Sequence, residues 1–265
     1  MIFSVANQKG GVGKTTTVIN VGYYLEHVLN QRVLYVDLDP QKSFTTYTFH
    51  EDGIELPREI SRRMGDANTL ALFEEEFEGI PYRLSDRSAI FGATDHLTLA
   101  STCTDEQVDF FRANLLSVAK DFDHVILDCP PSIGQQQYSA FCASDYIIIP
   151  TTVDRMSTEG IHKLYEVTRR AKHNKNRDLK ILGVYLNSAK KESTQIQKAV
   201  WGDLEELCGN DLMETQIFET VKVREANYLH QAIMEYDPKS AEHIQVTAFI
   251  EELLQRAGIE AGERK

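Results

Sequence analysis

Glycines, lysines and threonines are concentrated near the beginning of the chain, in the stretch NQKGGVGKTT at residues 7–16. It follows a short apolar run, Ile2 to Ala6, and precedes an amphipathic run that reaches Leu29, which predicts a strand, a glycine-rich loop and a helix in succession. In such a loop the glycines let the backbone turn so that successive N–H groups point at phosphate oxygens, and the helix N-terminus adds partial positive charge. The stretch therefore predicts a site for the phosphates of a nucleotide.

Within this loop, Lys14 is expected to reach the β- and γ-phosphates, and the Thr15 hydroxyl is expected to bind Mg²⁺. The strict pattern G-x-x-x-x-G-K-[ST] is not met, because Gln8 stands where its first glycine belongs, and a second lysine, Lys9, stands five residues before Lys14. The residues expected to bind the nucleotide in this loop are Lys9, Gly10, Gly11, Val12, Gly13, Lys14, Thr15 and Thr16.

The run KGGVGKTT resembles the deviant Walker A loop of the ParA/MinD family of dimeric ATPases. In that family the early lysine crosses the dimer interface and contacts the partner's nucleotide. The resemblance implies that the cofactors are ATP and Mg²⁺, that ATP joins two copies of the chain face to face as a homodimer, and that Lys9 and Lys14 both act in catalysis.

Two further apolar runs end in carboxylates: residues 33–36 lead into Asp37 and Asp39, and residues 124–127 lead into Asp128. Strand ends of this kind reach the ligand-binding edge of a parallel sheet, although an Asp before a proline turn is also common in ordinary α/β proteins. The sequence D-x-D-P-Q that begins at Asp37 resembles the family's switch I. The resemblance implies that Asp39 positions the attacking water, that Asp37 supports the Mg²⁺ shell, and that Asp128 orders Mg²⁺ through water as the Walker B residue.

Three stretches later in the chain also resemble the family. Asn187 ends an apolar run where the family has an asparagine that binds the adenine edge, although a strand-terminal asparagine is also an ordinary turn former. The second stretch is STEG at residues 157–160, where Ser157 is expected to cap a helix. The stretch TVKVREAN at residues 220–227 looks like a degraded form of the family's N-V-R-L-S-E-A-P, with Lys222 in place of Arg and Asn227 in place of Pro.

The alternation of apolar and amphipathic runs predicts an α/β fold, a doubly wound, mostly parallel sheet with helices on both faces, of the P-loop NTPase type. The chain is expected to form a single domain, residues 1–265, in which residues 43–100 diverge from the family and the acidic segment 51–81 is an insertion over a sheet edge. The expected strands are Ile2–Ala6, Val33–Asp37, Leu97–Ala100, His124–Asp128, Tyr146–Pro150 and Ile181–Asn187. The expected helices lie at about residues 14–29, 105–120, 134–143, 157–173, 192–208 and 238–256.

The composition is that of a globular protein, with 42% hydrophobic and 26% charged residues in a chain of 265. No apolar run approaches the roughly 18 residues of a membrane span, and the chain enters a strand at once, so a cytoplasmic location without a signal peptide is expected. The cysteines are expected to be reduced thiols, because none of them forms a C-x-x-C pair; they are Cys103, Cys129, Cys142 and Cys208.

The charge is distributed unevenly along the chain. The net charge of −12 argues against nucleic acid as a partner, but residues 161–200 carry ten bases and three acids. Phosphate contacts need charge and no base readout, so this segment is a candidate for nonspecific DNA binding, the alternative being a solvated charged face. The candidate DNA-binding residues are Arg169, Arg170, Lys172, Lys198 and Lys222.

The resemblance leaves several functions open. The first is a ParA-type positioning ATPase, nucleoid-associated when ATP-bound, whose hydrolysis is stimulated by an adaptor or ParB-like partner protein; the absence of an N-terminal helix-turn-helix extension indicates its short type. The second is a MinD-like membrane ATPase, which is not expected because residues 256–265 lack the bulky apolar residues of an anchor. The third is a reductase like the nitrogenase iron protein, for which Cys103 and Cys129 would have to hold a cluster. The identity of the cargo depends on the partner protein and is not encoded here.

Overall fold

The computed structural model describes residues 1–49, 65–154 and 157–260, and these residues form a seven-stranded sheet. The strand order is β3-β4-β2-β5-β1-β6-β7, and every neighbouring pair is parallel except β3 with β4. The strands are β1 (Ile2–Val5), β2 (Val33–Asp37), β3 (Tyr82–Arg83), β4 (Ser88–Phe91), β5 (His124–Asp128), β6 (Tyr146–Thr151) and β7 (Lys180–Leu186). The predicted doubly wound α/β fold is confirmed.

Helices connect the parallel strands and cover both faces of the sheet. Among the described residues they are α1 (Lys14–Tyr23, continued by a π-helical turn, Tyr24–Val28), α2 (Ser43–Phe49), α3 (Asp105–Val118), α4 (Gln135–Ala143), α5 (Ser157–Asn174), α6 (Gln195–Cys208), α7 (Val221–Tyr228), α8 (Ile233–Tyr236) and α9 (Ala241–Arg256). Hydroxyl side chains cap several of them: Thr104 accepts from the N–H of Gln107 at the start of α3, and Ser240 accepts from that of His243 at the start of α9.

The core is divided into two layers by the sheet. Successive residues of a strand point to opposite faces, so Val125 and Leu127 of β5 pack on one side with α3 to α6, whereas Ile126 packs on the other with α1 and α9. The strands are apolar almost throughout because both of their faces are covered. This arrangement leaves the strand ends as the places where polar side chains can gather.

The prediction of a strand at Leu97–Ala100 was wrong. These residues belong to a 3₁₀-helix, Asp95–Thr102, in which Leu97 and Ala100 are buried while Leu99 between them is 64% exposed. Burial of every third residue is the period of a 3₁₀-helix, and a short apolar run does not distinguish it from a strand. The strands of this region are β3 and β4 instead.

Other differences concern short elements and the acidic segment. The helices α2, α7 and α8 were not predicted, because each is too short to show a clear periodicity. Of the acidic segment 51–81, residues 51–64 lie outside the described residues. The described remainder places Leu72 and Phe73 in the core, where the Phe73 ring lies 4.7 Å from that of Phe111.

Candidate nucleotide site

Two asparagine amides connect the glycine-rich loop to the ends of other strands. The Asn7 amide donates to the Pro150 carbonyl at 2.6 Å, and the Asn187 amide donates to the Val12 carbonyl at 2.8 Å. Gly13 has φ of 94°, and a Cβ atom there would lie 2.2 Å from Asn187 Nδ2. A side chain at position 13 would therefore be strained and would displace Asn187.

Lys14, the first residue of α1, folds back over this loop. Its ammonium donates to the Lys9 carbonyl at 3.1 Å, and the residue is only 7% exposed. Burial lowers the pKa of Lys14, while the nearby carboxylates of Asp128 and Asp39 act in the opposite direction. The loop therefore holds a desolvated positive charge, which is the group that phosphate oxygens bind most strongly.

Asp37 and Asp128 lie side by side at the carboxyl edge of the sheet, because the register pairs them directly between β2 and β5. Asp37 is well satisfied: it accepts from the Thr45 N–H at 2.8 Å, from the Thr45 hydroxyl at 2.7 Å and from the Asp39 N–H at 3.0 Å. Burial nevertheless raises its pKa to about 6. Burial, together with the neighbouring Asp37, raises the pKa of Asp128 well above its ordinary value.

The residues around Asp128 fit a magnesium ion. The Thr15 hydroxyl donates to Asp128 Oδ2 at 2.7 Å, whereas Asp128 Oδ1 is buried and has no hydrogen-bond partner among the described residues. Mg²⁺ takes hard oxygen ligands, keeps several waters, and is held by few carboxylates together with substrate phosphates. A hydroxyl beside a buried carboxylate with a vacant lone pair provides such a site, and a bound cation would offset the buried negative charge.

Asp39 lies on the wall of the cavity next to the loop and is 9% exposed. Its Oδ1 accepts from the Gln41 N–H at 2.9 Å, which fixes the side chain at the beginning of the segment that leads to α2. This cavity, which we call the phosphate cavity, has a volume of about 650 Å³. Its lining residues include Gly10, Lys14, Thr15, Thr16, Asp39, Tyr47, Pro131, Asn227 and His230.

A second cavity adjoins the first beyond Gly13 and Thr16, and we call it the base cavity. It has a volume of about 280 Å³ and an apolar floor. Its lining residues include Tyr185, Asn187, Ile217, Phe218, Val223, Asn227, Val246 and Phe249. The sequence pattern did not predict most of these residues, because they come from segments that are distant in the chain; the resemblance at residues 220–227 was the signal for Val223 and Asn227.

Lys9 belongs to the same loop as Lys14, but its side chain lies at the surface. Its ammonium forms an ion pair with Asp154 at 2.5 Å, and the two side chains are 42% and 38% exposed. The lysine pair in the sequence thus separates into a buried lysine directed into the loop and a surface lysine directed away from it.

The candidate DNA-binding residues lie in different environments. Arg169 and Lys172 lie on the last turns of α5 and, with His173 and Arg177, surround a shallow depression of about 500 Å³. The Arg170 guanidinium lies 4.4 Å from the centre of the Tyr138 ring.

The other two candidates lie elsewhere. Lys198 is exposed on the first turn of α6, whereas Lys222 forms an ion pair with Asp237 at 2.7 Å that raises the pKa of the lysine. Because α5 ends where β7 begins and α6 follows the end of β7, Arg169 and Lys198 are separated by about 20 Å of strand. The structure does not bring the five candidates into a single patch.

The four cysteines are free and buried. Burial raises the pKa of the Cys129 thiol well above its ordinary value, and it also raises that of Cys103. An iron–sulfur cluster is bound by thiolates, so both positions disfavour that chemistry.

The glycine-rich loop, the facing carboxylates and the parallel sheet define a P-loop ATPase. The family model of an AAA domain matches residues 1–181. The chain is 32% identical to the sporulation initiation inhibitor protein Soj of Bacillus subtilis, over 90% of this chain and 92% of Soj. It is 28% identical to the chromosome partitioning protein ParA of Caulobacter vibrioides, over 91% and 88% of the two chains.

Among solved structures, the chain resembles an ATP complex of McdA from Cyanothece, with a TM-score of 0.82, 20% identity, and coverage of 99% of this chain and 98% of that one. This likeness supports the fold. The chain belongs to the ParA/Soj family of partition ATPases. In the part of the chain that the structure describes, no helix combines the length and the apolar character needed to cross a bilayer.

Proposed function

We propose that this protein is a ParA-type positioning ATPase that hydrolyses Mg-ATP, pairs face to face when it holds ATP, and in that state binds nonspecific DNA to move a cargo. The observation that carries the proposal is the separation of the two loop lysines. Lys14 is buried in its own loop, whereas Lys9 stands on the surface beside an open nucleotide site. A second copy of the chain, docked over that site, is what would give Lys9 a phosphate to bind.

For ATP hydrolysis, we assign the phosphates to the loop amides from Gly10 to Thr16 and to the Lys14 ammonium. Mg²⁺ would be held by Thr15 and, through water, by Asp128, with Asp37 supporting its shell. Asp39, fixed by its bond to the Gln41 N–H, would position the attacking water. Phosphoryl transfer requires mainly positioning and charge stabilisation, and these groups would supply both.

For base recognition, the orientation of the Asn187 amide is informative. Its NH₂ group is used by the Val12 carbonyl, so its oxygen is available as an acceptor at the base cavity. An acceptor there would bind the amino group of adenine and would repel the carbonyl of guanine. The apolar rings of Phe218 and Phe249 complete a site for a purine.

The rim of the phosphate cavity favours pairing with a second copy of the chain. Pro131 and His230 line this cavity, and close to them in the sequence Ile133, Tyr228 and Leu229 expose 49%, 82% and 51% of their surfaces. Exposed apolar groups that surround an open site are typical of a surface that becomes covered. The same residues would be buried if ATP joined two copies at this face.

For DNA binding, the position of the basic residues favours Lys198 and Lys190 as the contacts. These two lysines lie near each other, because the Lys190 backbone N–H donates to the side chain of Gln197, which precedes Lys198. Both follow the carboxyl end of β7, the edge at which the partner would dock, so two copies would combine their charges. The residues at the end of α5 lie at the opposite edge. Binding that requires the dimer is better explained by the carboxyl edge, because the net charge of a single chain is −12.

We further propose that residues 1–265 form a single ATPase domain, since segments from Ile2 to Leu186 contribute strands to the same sheet and α9 covers it. An adaptor protein would stimulate hydrolysis, and the ATP-bound form would associate with the nucleoid in the cytoplasm. A positioning ATPase that acts on another surface, as MinD-like proteins do on membranes, is the alternative.

The test uses the Asp39→Ala variant, which should bind ATP and stay paired because it retains the phosphate cradle and loses the group that positions water. Size-exclusion chromatography with Mg-ATP should show a dimer, and a turnover assay should show lost hydrolysis. The dimer should bind random-sequence DNA with a slope of log K against log salt of about −0.9 for each neutralised phosphate. A verified dimer that binds no DNA at low salt would overturn the proposal that the protein binds DNA, and would favour a positioning ATPase that acts on another surface, such as a membrane.

A matched pair of charge reversals locates the DNA surface. Lys190→Glu with Lys198→Glu changes the charge as much as Arg169→Glu with Lys172→Glu does, but at the opposite edge of the sheet. We expect the first pair to weaken binding to all DNA sequences alike and to reduce the salt slope by about 0.9 per lost contact. The second pair of substitutions should weaken DNA binding less than the first. If the second pair weakens it more, the DNA-binding surface lies at the end of α5.

A further inference from the structure

Asn227 contacts the phosphate-binding loop across a long stretch of sequence. Its amide Nδ2 donates to the Thr16 hydroxyl at 3.0 Å, and the two residues are 211 positions apart. Both residues line the phosphate cavity and the base cavity. The pair therefore lies where the two cavities meet, which is where the phosphates of a nucleotide would join its ribose.

The polarity of this hydrogen bond restricts what the Thr16 hydroxyl can do. An NH₂ group can only donate, so the Thr16 oxygen must accept, and its own proton is left to point elsewhere. Phosphate oxygens at neutral pH can only accept. A threonine whose oxygen is already used by Asn227 is thus prepared to donate its proton to a phosphate, and it need not be reoriented when the nucleotide arrives.

The surrounding contacts hold Asn227 in place. The Asn20 side chain links the two elements: its amide donates to the Thr16 carbonyl at 2.8 Å, and its oxygen accepts from the N–H of Ile233 at 3.0 Å. On the other side, His230 Nδ1 lies 3.1 Å from the Tyr47 carbonyl. The segment from α7 to α8 is therefore bound to both α1 and α2, and Asn227 is presented to Thr16 from a supported backbone.

We propose that Asn227 is a positioning residue for nucleotide binding, which orients the Thr16 hydroxyl toward the phosphate that lies between the two cavities. The inference rests on the proposed function, since it requires a nucleotide in these cavities. It assigns a specific role to a position where the family pattern at residues 220–227 has a proline, which has no side-chain donor.

The test is the affinity for ADP, measured by calorimetry, which needs neither pairing nor hydrolysis. The side chain in Asn227→Asp has the same shape, but its carboxylate can only accept a hydrogen bond from Thr16. The Thr16 hydroxyl would then point its proton at the carboxylate and not at a phosphate, and the substitution also adds negative charge near the phosphates. We expect this substitution to weaken the affinity for ADP by about tenfold or more, and Asn227→Ala to weaken it by a smaller factor of about three to ten. Gln231→Ala removes an amide from the same segment that lines neither cavity, and it should bind ADP as the wild type does.

A double-mutant cycle separates positioning from a structural role. If Asn227 acts through the hydroxyl, then Asn227→Ala in a Thr16→Val background should change ADP affinity by less than about twofold. Thermal unfolding without nucleotide should be nearly unchanged in Asn227→Asp, because its carboxylate still bonds to Thr16. If the wild type binds ADP and Asn227→Asp binds it equally well, or if the two substitutions act additively, the inference is wrong. Failure of the wild type to bind ADP would instead refute the proposed function.

Discussion

The two edges of the sheet treat charge in opposite ways. At the carboxyl edge, Lys14, Asp37 and Asp128 are all less than 10% exposed, and one Asp128 carboxylate oxygen has no hydrogen-bond partner in the part of the chain that the structure describes. At the amino edge, by contrast, Arg32 and Asp123 pair at the surface at 3.1 Å, with side chains 53% and 42% exposed. The buried Glu26 carboxylate at this edge accepts hydrogen bonds from the hydroxyls of Ser85 and Ser88. Charge is thus buried without full compensation where the nucleotide is expected, and is paired or hydrogen-bonded where it is not.

This difference has an energetic meaning. Removing a charge from water is costly unless a partner compensates it, whereas an exposed ion pair contributes little to stability. The carboxyl edge is therefore a region that the fold alone does not stabilise and that a bound cation and phosphates would complete. The amino edge requires no ligand. Variants at the two edges should accordingly separate loss of binding from loss of stability.

The largest expected effect is on nucleotide affinity in Lys14→Ala. Removing a charge-assisted contact to phosphate should cost about 3 kcal/mol, or on the order of 100-fold in ADP affinity. The stability of the nucleotide-free protein should not fall with it, because the substitution also removes a buried charge whose pKa is lowered by desolvation. Calorimetry and chemical unfolding would measure the two quantities, and a variant that binds ADP normally would contradict the assignment.

The second-largest expected effect is on stability at acid pH, and it concerns His124, which is buried in its neutral form at the amino edge. Burial, and then the nearby N-terminal ammonium, lowers its pKa to about 4. Because the folded pKa lies below the unfolded value, the stabilising contribution is complete above about pH 6.5 and is lost as the pH falls through about 4, a change on the order of 2–3 kcal/mol. Urea unfolding at about pH 7 and at about pH 4 should show that His124→Gln loses less stability than the wild type on acidification. Equal losses would mean that His124 is not the group responsible.

A smaller effect of opposite sign is expected in Asp128→Asn. The amide keeps an acceptor for the Thr15 hydroxyl but removes a buried charge next to Asp37. Since burial raises the folded pKa of Asp128, the wild type loses stability as the pH rises above the unfolded value. The variant should therefore be more stable at about pH 8 by on the order of 1–2 kcal/mol, and this gain should vanish near about pH 4. Mg²⁺-dependent turnover should be lost at the same time, and a variant that gains no stability would show that the carboxylate is already compensated.

The smallest expected effect on ADP affinity is in Lys9→Ala, which can be compared with Lys14→Ala in the same loop. Lys9→Ala removes an exposed ion pair, so ADP affinity of the single chain should change by less than about twofold. Dimerisation with ATP, however, should be abolished, because the lysine would contact the partner's nucleotide. Size-exclusion chromatography of Lys9→Ala in the Asp39→Ala background checks this, and an intact dimer would remove Lys9 from the interface.

Sequence alone was sufficient for the features that depend on neighbouring residues. The glycine-rich loop, the carboxylates at Asp37 and Asp128, and the near-continuous apolar runs of β2 and β5 are all local patterns. They predicted the fold, and the structure brings the loop and these carboxylates together at one edge of the sheet. Local patterning failed where a run was short: Leu97–Ala100 contains the same residue types as a strand, and only its packing under the sheet selected a 3₁₀-helix.

The tertiary structure decided which distant residues meet. The sequence contains no signal that Asn227 contacts Thr16 or that Thr45 donates two hydrogen bonds to Asp37, because these contacts depend on how the helices pack and not on spacing in the chain. It also gave the two loop lysines different environments, by burying Lys14 and pairing Lys9 with Asp154 at the surface. Burial depends on the whole fold, and burial is what shifts the pKa of Lys14, Asp37 and Asp128.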